Sequence, residues 1–196
     1  MLDNSEIIKG CRMHKKNAQQ SLYLKYNGVL MGICIRYAPT IEEAEDLLQE
    51  SFIKIFSKFR KYDKKGSLEG WIKRITVNLA INYYHKHTKL KHKVLEENFD
   101  ENMLTEDVSN EDETPKSIIL NTDFRKEDLL EAMEKLPNGY KMVFNLYVLE
   151  KFSHQKIADT LHISINTSKS QLSRARKQLQ DILYEKCLSM KGLNYE

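Results

Sequence analysis

The sequence predicts an all-α protein of two small helical domains joined by an acidic flexible linker. Three observations support this fold class. The 196 residues include only 7 Gly and 3 Pro, too few for the turns of a strand-rich fold. Apolar residues recur at steps of three and four on both sides of a central segment, which is the helical period. That segment, residues 96–114, has nine acidic side chains and no Lys, Arg or His, a composition typical of disorder.

These features divide the chain into four parts. We predict a first domain over 1–89, a linker over 90–124, a second domain over 125–184 and a C-terminal tail over 185–196. Both domains are basic, and residues 54–93 alone carry twelve Lys and Arg against two acids. Two basic lobes favour a polyanionic partner such as nucleic acid. Solvated helix faces would have the same composition, so charge alone leaves both interpretations open.

Several classes of protein are excluded. No apolar run approaches the length of a membrane span, and the first residues lack the features of a secretory signal. The three cysteines are scattered, as is usual for free thiols in a reducing compartment. The histidines have no companion ligands at metal-binding spacing, and the common catalytic motifs are absent. We therefore predict a cytoplasmic protein with no membrane insertion, no catalytic residues, no metal and no cofactor.

The first domain is predicted to contain three helices. One covers 18–37 and ends before Pro39. The next begins at Thr40, which with Glu43 forms a capping box. A polar loop over 60–70 leads to the third helix, at about 68–88. The residues predicted to face the interior are Leu22, Tyr23, Tyr26, Leu30, Ile33, Cys34, Tyr37, Ala44, Leu47, Leu48, Phe52, Ile55, Phe56, Phe59, Ile72, Ile75, Leu79 and Tyr83.

The third helix combines amide, cationic and aromatic side chains. Asn78 and Asn82 lie one turn apart on one side, with Lys73 and Arg74 nearby. Amides can bond to base edges and cations to phosphates, so this side suits single-stranded nucleic acid. Trp71, the only tryptophan, would either stack on a base or anchor the core. We expect the core position.

The second domain contains a helix-turn-helix pattern. Helices are predicted over 125–136, through Leu129, Leu130, Met133 and Leu136, and over 140–150, with Val143, Phe144, Tyr147 and Val148 inside. A short helix capped by Ser153 is then followed by a three-residue turn and a long helix. Ile157, Ala158 and Leu161 should pack on Ile163, Leu172 and Ala175. The exposed side of the long helix would be Asn166, Lys169, Ser170, Ser173, Arg174 and Lys177, groups suited to a major groove.

In this order, the features resemble the sigma-70 family of RNA polymerase sigma factors, specifically the extracytoplasmic-function (ECF) group. Residues 45–52 (EDLLQESF) resemble the region 2 helix, and residues 71–82 (WIKRITVNLAIN) resemble the promoter-contacting helix that follows it. Residues 136–144, 153–161 and 167–176 resemble region 4. The resemblance covers about 20–90 and 125–184.

The resemblance implies a non-enzymatic protein that binds bacterial core RNA polymerase and directs promoter-specific initiation. Polymerase would dock on Asp46, Gln49 and Glu50. Region 2 would recognise and melt the −10 element through Lys64, Lys65, Trp71, Lys73, Arg74, Asn78 and Asn82. Region 4 would read the −35 element through Gln155, Asn166, Thr167, Lys169, Ser170, Ser173, Arg174 and Lys177. The linker would either thread the polymerase or act as a passive tether, and an anti-sigma factor is an expected further partner.

The alternative is a helix-turn-helix DNA-binding regulator that acts without polymerase.

The sequence departs from the family pattern at particular positions. His162 stands in the turn where Gly is usual, and Ser168 stands where a buried Val is common. A left-handed backbone at His162 would cost more than at Gly. These departures bear on the promoter sequence and on DNA affinity, and leave the family assignment unchanged.

Overall fold

The computed structural model describes residues 3–63, 65–94 and 123–190, with backbone alone for 88–94 and 126. These residues form helices, turns and short connections and contain no strand, which confirms the all-α prediction. The chain divides into two compact units, residues 1–98 and 99–196. Lys64, residues 95–122 of the predicted linker and residues 191–196 of the predicted tail lie outside the described residues.

Unit 1 is a bundle built around one central helix. Its elements are α1 (Asn4–Arg12), α2 (Lys16–Tyr37), α3 (Ile41–Lys58), a 3₁₀ turn (Phe59–Lys61) and α4 (Leu68–Val94). Helix α2 packs against α1, α3 and α4, and α3 also packs against α4. The three predicted helices are therefore confirmed, whereas α1 was not predicted. Its start is marked by a capping box, in which Asp3 and Glu6 each accept a backbone N–H of the other.

The buried side of α4 differs in part from the prediction. Ile72 is fully buried, but Ile75, Leu79 and Tyr83 are only half-buried. Among the side chains described on this helix, the other buried positions are Leu68, Thr76, Val77, Ala80 and Ile81. Thr76 and Ala80 are buried with small side chains, which a search for large apolar residues misses. Tyr23 was also predicted inside. It is 43% exposed, although its ring centroid lies 4.8 Å from that of Phe52.

Close packing of α1 on α2 gives a first testable prediction. A Cβ at Gly10 would overlap the Cβ of Ala18 across the two helices. We expect Gly10→Ala to lower the free energy of unfolding of unit 1 by about 1–3 kcal/mol, because the helices must move apart. The matched control is Gly32→Ala, where a new Cβ meets no atom within 4 Å and helix propensity favours Ala. Denaturation followed by Trp71 fluorescence measures both; equal stabilities of the two variants would contradict the prediction.

Unit 2 is organised around its last and longest helix. The elements are α5 (Lys126–Glu134), α6 (Asn138–Phe144), a π turn (Asn145–Leu149), α7 (His154–Leu161) and α8 (Ile165–Met190). Helix α8 packs against α5, α6 and α7. The helix predicted over 140–150 begins earlier, at Asn138, and continues from Asn145 as a π turn. This change in period buries Asn145 and Leu146 and leaves Phe144, Tyr147 and Val148 half-buried, contrary to the prediction.

The inward side of α5 also differs from the prediction. Leu129 is 44% exposed, whereas Asp128 is only 1% exposed. The Asp128 carboxylate accepts the backbone N–H of Arg125 at 2.9 Å and lies 2.8 Å from the Lys186 ammonium of α8. Lys186 also contacts Glu131 at 2.6 Å. Hydrophobic spacing predicts a buried leucine on this side of α5, but the buried residue is an ion-paired carboxylate. This ion pair connects α5 to the C-terminal end of α8.

This ion pair predicts an acid-sensitive unit 2. The hydrogen bond from Lys186, followed by the bond from the Arg125 backbone, holds the pKa of Asp128 below its usual value. A lowered folded-state pKa adds stability that is present above the unfolded pKa, near 3.9, and is lost as the pH falls below it. We expect the calorimetric transition of unit 2 to move to lower temperature as the pH falls from about 5 to about 3. Asp128→Asn should flatten this dependence, and an unchanged slope would contradict it.

Candidate nucleic-acid interface

Helix α3 presents an acidic face to solvent. Thr40 caps the helix by accepting the Glu43 N–H at 3.3 Å. Only this half of the predicted capping box is formed, since the carboxylate of Glu43 instead lies against Tyr83. Burial and then this carboxylate raise the pKa of Tyr83. The acidic face consists of Glu42, Glu45, Asp46, Gln49 and Glu50, all exposed. Asp46, Gln49 and Glu50 share one side at helical spacing, so this face offers two carboxylates and an amide to a basic partner.

A groove runs beside this face, between α2 and α3. It has a volume of about 450 Å³, and Tyr23, Gly28, Met31 and Gln49 are among its lining residues. Gly28 has no side chain and meets open space, so a partner can approach the α2 backbone closely. The groove thus extends the surface next to Gln49 with apolar and amide groups.

A polar stripe follows one side of α4. Arg74, Asn78 and Asn82 are exposed and recur at steps of four residues, which places them along one side. Lys73 differs from its neighbours: its ammonium lies 2.5 Å from the Glu69 carboxylate, so its charge is partly neutralised. The stripe offers two amides and a guanidinium for bases and phosphates.

An aromatic pocket lies at the start of this stripe. The Trp71 ring is half-buried, with its centroid 5.5 Å from that of Phe59 and 5.2 Å from that of Tyr62. The Tyr62 hydroxyl donates to the Gly66 carbonyl at 2.6 Å and shapes the adjoining loop. The resulting cavity of about 350 Å³ is also lined by Lys65 and Arg74. Trp71 therefore packs against core rings and also borders a pocket. It has the predicted core position, and it lies next to a space that a base would need for stacking.

Two of the predicted sites meet in a second groove of unit 1. Asp46 and Glu50 of α3 line it from one side, and Asn82 and Lys86 of α4 line it from the other. Its volume is about 430 Å³. The residues predicted to bind polymerase and those predicted to bind the −10 element are therefore neighbours.

In unit 2, caps and a left-handed residue set the angle between α7 and α8. Ser153 caps α7 by accepting the Lys156 N–H at 3.2 Å, and Ser164 caps α8 by accepting the Thr167 N–H at 2.9 Å. His162 ends α7 at φ 58°, ψ 42°. Ile157, Ala158, Leu172 and Ala175 are buried between the helices, as predicted, while Leu161 and Ile163 are half-buried. These features form a helix-turn-helix.

The left-handed turn predicts a stabilising substitution. Glycine adopts this backbone conformation without the steric cost that a side chain pays. We expect His162→Gly to raise the free energy of unfolding of unit 2 by up to about 1 kcal/mol. Calorimetry on the full chain measures this change, with the Trp71 fluorescence transition of unit 1 as an internal control. A lower midpoint for unit 2 would contradict the prediction.

The outer side of α8 carries most of the predicted contact residues. Asn166, Lys169, Ser173 and Lys177 are exposed at helical spacing. Thr167, Ser170 and Arg174 are half-buried at its edges, so the exposed face is narrower than predicted. Gln155 of α7 is exposed, but its amide donates to Asp159 at 3.0 Å. The stripe and its edge place three cations, Lys169, Arg174 and Lys177, beside short polar groups over about three turns, which suits phosphates and base edges.

Sequence reasoning missed Tyr62 and His154. Tyr62 helps to form the aromatic pocket. Its position in the sequence, as an aromatic residue in a polar loop before Trp71, is a signal from which this role could have been predicted. His154 lies beneath α8 and bonds to Ser168, a contact for which spacing gives no signal. Within the described ranges, no set of three metal-ligating side chains converges, and no helix has the length and hydropathy needed to cross a bilayer.

Two family models match the chain. "Sigma-70 region 2" matches residues 22–90 and "Sigma-70, region 4" matches residues 126–179, together more than half of the chain. The ECF RNA polymerase sigma factor SigE of Mycolicibacterium smegmatis is 31% identical over 151 residues, which cover 77% of this chain and 56% of that protein. The ECF RNA polymerase sigma-E factor of Haemophilus influenzae is 24% identical, with coverages of 92% and 95%.

Among solved structures, the chain is similar to the sigma factor RpoE of Bartonella quintana, crystallised with the anti-sigma factor NepR. The TM-score is 0.48 and the identity 22%, over 84% of this chain and 95% of that chain. CnrH in complex with the cytosolic domain of CnrY gives a TM-score of 0.46 at 15% identity, with coverages of 90% and 94%.

The helix-turn-helix and the region 2 bundle thus define a promoter-specific transcription initiation factor of the kind that works with RNA polymerase and is not an enzyme. The chain belongs to the sigma-70 family, in its ECF group.

Proposed function

We propose that this sigma factor docks on core RNA polymerase through Asp46, Gln49 and Glu50. In support, the three side chains share the exposed acidic face of α3, and the α2–α3 groove beside Gln49 extends the contact surface. Complementary charge steers such a docking and makes it sensitive to salt. The proposed docking domain is residues 1–89.

Unit 1 would also capture single-stranded −10 DNA. An extruded base would enter the Trp71 pocket, whose volume of about 350 Å³ accommodates a nucleobase. Asn78 and Asn82 would contact the bases that follow along α4, while Lys65, Arg74 and, more weakly, the ion-paired Lys73 would hold phosphates. Unstacking costs a few kcal/mol per step, which base capture offsets. Lys64 was assigned to this set from the sequence, and it lies outside the described residues.

Unit 2 would read the −35 element as duplex. Asn166, Lys169, Ser173 and Lys177 would enter the major groove, with Thr167, Ser170 and Arg174 at the edges and Gln155 at the start of α7. The cations would give affinity, and the short polar groups would give base discrimination. The domain for this role would be residues 125–184, connected through the acidic stretch 90–124. The place of action would be the cytoplasm, and an anti-sigma factor would be a further partner.

A single observation carries this proposal: one chain combines an exposed acidic face on α3, an aromatic pocket at the start of α4, and a separate helix-turn-helix. The test is binding of the purified chain to bacterial core polymerase, followed by transcription from a library of randomised promoters. We expect the chain to co-elute with core and to enrich two-part promoters. Absence of both results would contradict the proposal. Tight dimeric binding to a palindromic duplex without polymerase would instead favour a regulator of the helix-turn-helix class.

A further inference from the structure

Three elements of unit 2 meet at the ring of His154, the first residue of α7. Its Nδ1 lies 3.0 Å from the Ser168 hydroxyl of α8. Its ring stacks on Tyr147 of the π turn, with centroids 4.5 Å apart and planes 26° from parallel. The Arg176 guanidinium of α8 lies 5.8 Å from the same Tyr147 ring. The imidazole is thus held by an aromatic face and a polar contact at once.

The Ser168 side of this contact is fully buried. A buried hydroxyl without a partner loses its bonds to water and destabilises the fold, and His154 Nδ1 is positioned to satisfy it. Ser168 also immediately precedes Lys169 and lies little more than one turn before Ser173, two residues of the proposed DNA-reading face. A contact that fixes the rotation of α8 about its axis at Ser168 therefore also fixes the directions of the Lys169 and Ser173 side chains.

We propose that His154 is a positioning residue for DNA recognition, which sets the rotation of α8 on α7 through Ser168 and thereby determines base specificity. This inference rests on the proposed reading of duplex DNA by α8. Phosphate attraction acts over several ångströms and tolerates a small rotation of the helix. Hydrogen bonds to base edges do not tolerate it, because they weaken steeply with distance and angle. Loss of the His154–Ser168 contact should therefore reduce discrimination more than affinity.

The charge state of His154 supports this role. The groups that face it are Tyr147 from the π turn and Lys169 and Arg176 from α8. Burial, followed by the two cations, lowers the pKa of His154. The ring is therefore neutral at pH 7, and Nδ1 can accept the Ser168 hydroxyl when the ring proton is on Nε2. Protonation would place a third positive charge beside Lys169 and Arg176, so acid should loosen the contact.

The test uses polymerase holoenzyme assembled with the full chain. The specific probe is the duplex that the wild-type holoenzyme enriches from a randomised library, and the nonspecific probe is its scrambled sequence. The variants are His154→Leu, Ser168→Val and the double variant that carries both changes. The double variant replaces the polar contact by an apolar one. His154→Asn is the conservative variant, because its side chain keeps a hydrogen-bond acceptor. The readout is the ratio of the two dissociation constants, measured at neutral and at mildly acidic pH.

We expect His154→Leu to lower this ratio about tenfold, the discrimination carried by one base contact, with scrambled-duplex affinity nearly unchanged. The double variant and His154→Asn should recover most of the ratio. Acidification should lower the ratio for the wild type but not for the double variant. Equal losses on both probes, or an unchanged ratio in His154→Leu, would overturn the inference while leaving the proposed function intact. A wild type that enriches no sequence would overturn both. If His154→Leu does not fold, the double variant and the pH comparison still decide.

Discussion

Replacing Asp46 and Glu50 by lysine is expected to weaken binding to core RNA polymerase by about 100-fold. Both carboxylates are exposed on the acidic face of α3, so the change should leave the fold of unit 1 intact. Reversing charges at a complementary interface replaces attraction by repulsion, and like charges in contact cost several kcal/mol. A loss of about 3 kcal/mol corresponds to this fold-change. Equilibrium titration with fluorescently labelled core polymerase measures the effect.

The matched control is the double variant Asp181→Lys, Glu185→Lys. Both residues are exposed on α8, and the change in net charge is the same. Its affinity for core should stay near that of the wild type. Equal weakening by the two double variants would mean that overall charge, and not the acidic face, governs docking. Added salt should reduce the difference between the wild type and the α3 variant, since ions screen the exposed charges.

Removing the Phe59 ring is expected to be the most destabilising change in unit 1. Phe59 is fully buried, and its ring packs edge-on against Trp71 and Tyr62, two residues that line the aromatic pocket. Truncation of a buried phenylalanine to alanine typically costs about 3–5 kcal/mol, from lost burial and the cavity that remains. We expect Phe59→Ala to lower the free energy of unfolding of unit 1 by this amount. The single tryptophan makes fluorescence a direct measure, because Trp71 itself lies on the cavity.

Phe56→Ala is the control for this prediction. Phe56 is one turn away on α3 and is only half-buried, so its truncation should cost clearly less. The Phe59 variant should also bind single-stranded −10 DNA more weakly, because Trp71 loses the ring that fixes its orientation. A smaller destabilisation for Phe59→Ala than for Phe56→Ala would contradict the expected role of Phe59 as the buried support of Trp71 and Tyr62.

Hydrophobic periodicity locates a helix where one side of that helix is buried by large apolar residues. Large apolar residues at helical spacing located α2, α3, α4 and the helix-turn-helix, since burial of one helix side is the main source of that period. The pattern missed α1. It also misplaced the inward side of α5 and of the segment after α6. At Asp128 a buried ion pair replaces an apolar residue, and at Asn145 a π turn changes the period, and neither leaves a trace in hydrophobic spacing.

The sequence by itself determined the fold class, the family, the order of the helices from α2 onwards and most of the surface residues of α3, α4 and α8. These features can be predicted from short stretches of sequence, because helical periodicity, capping residues and charge each depend on residues that are close together in the chain. Only the tertiary structure decided that Asp46 and Asn82 line one groove, that Trp71 is shared between core and pocket, and that His154 touches Ser168. Such contacts join residues distant in sequence, and they depend on how helices rotate when their side chains pack against one another.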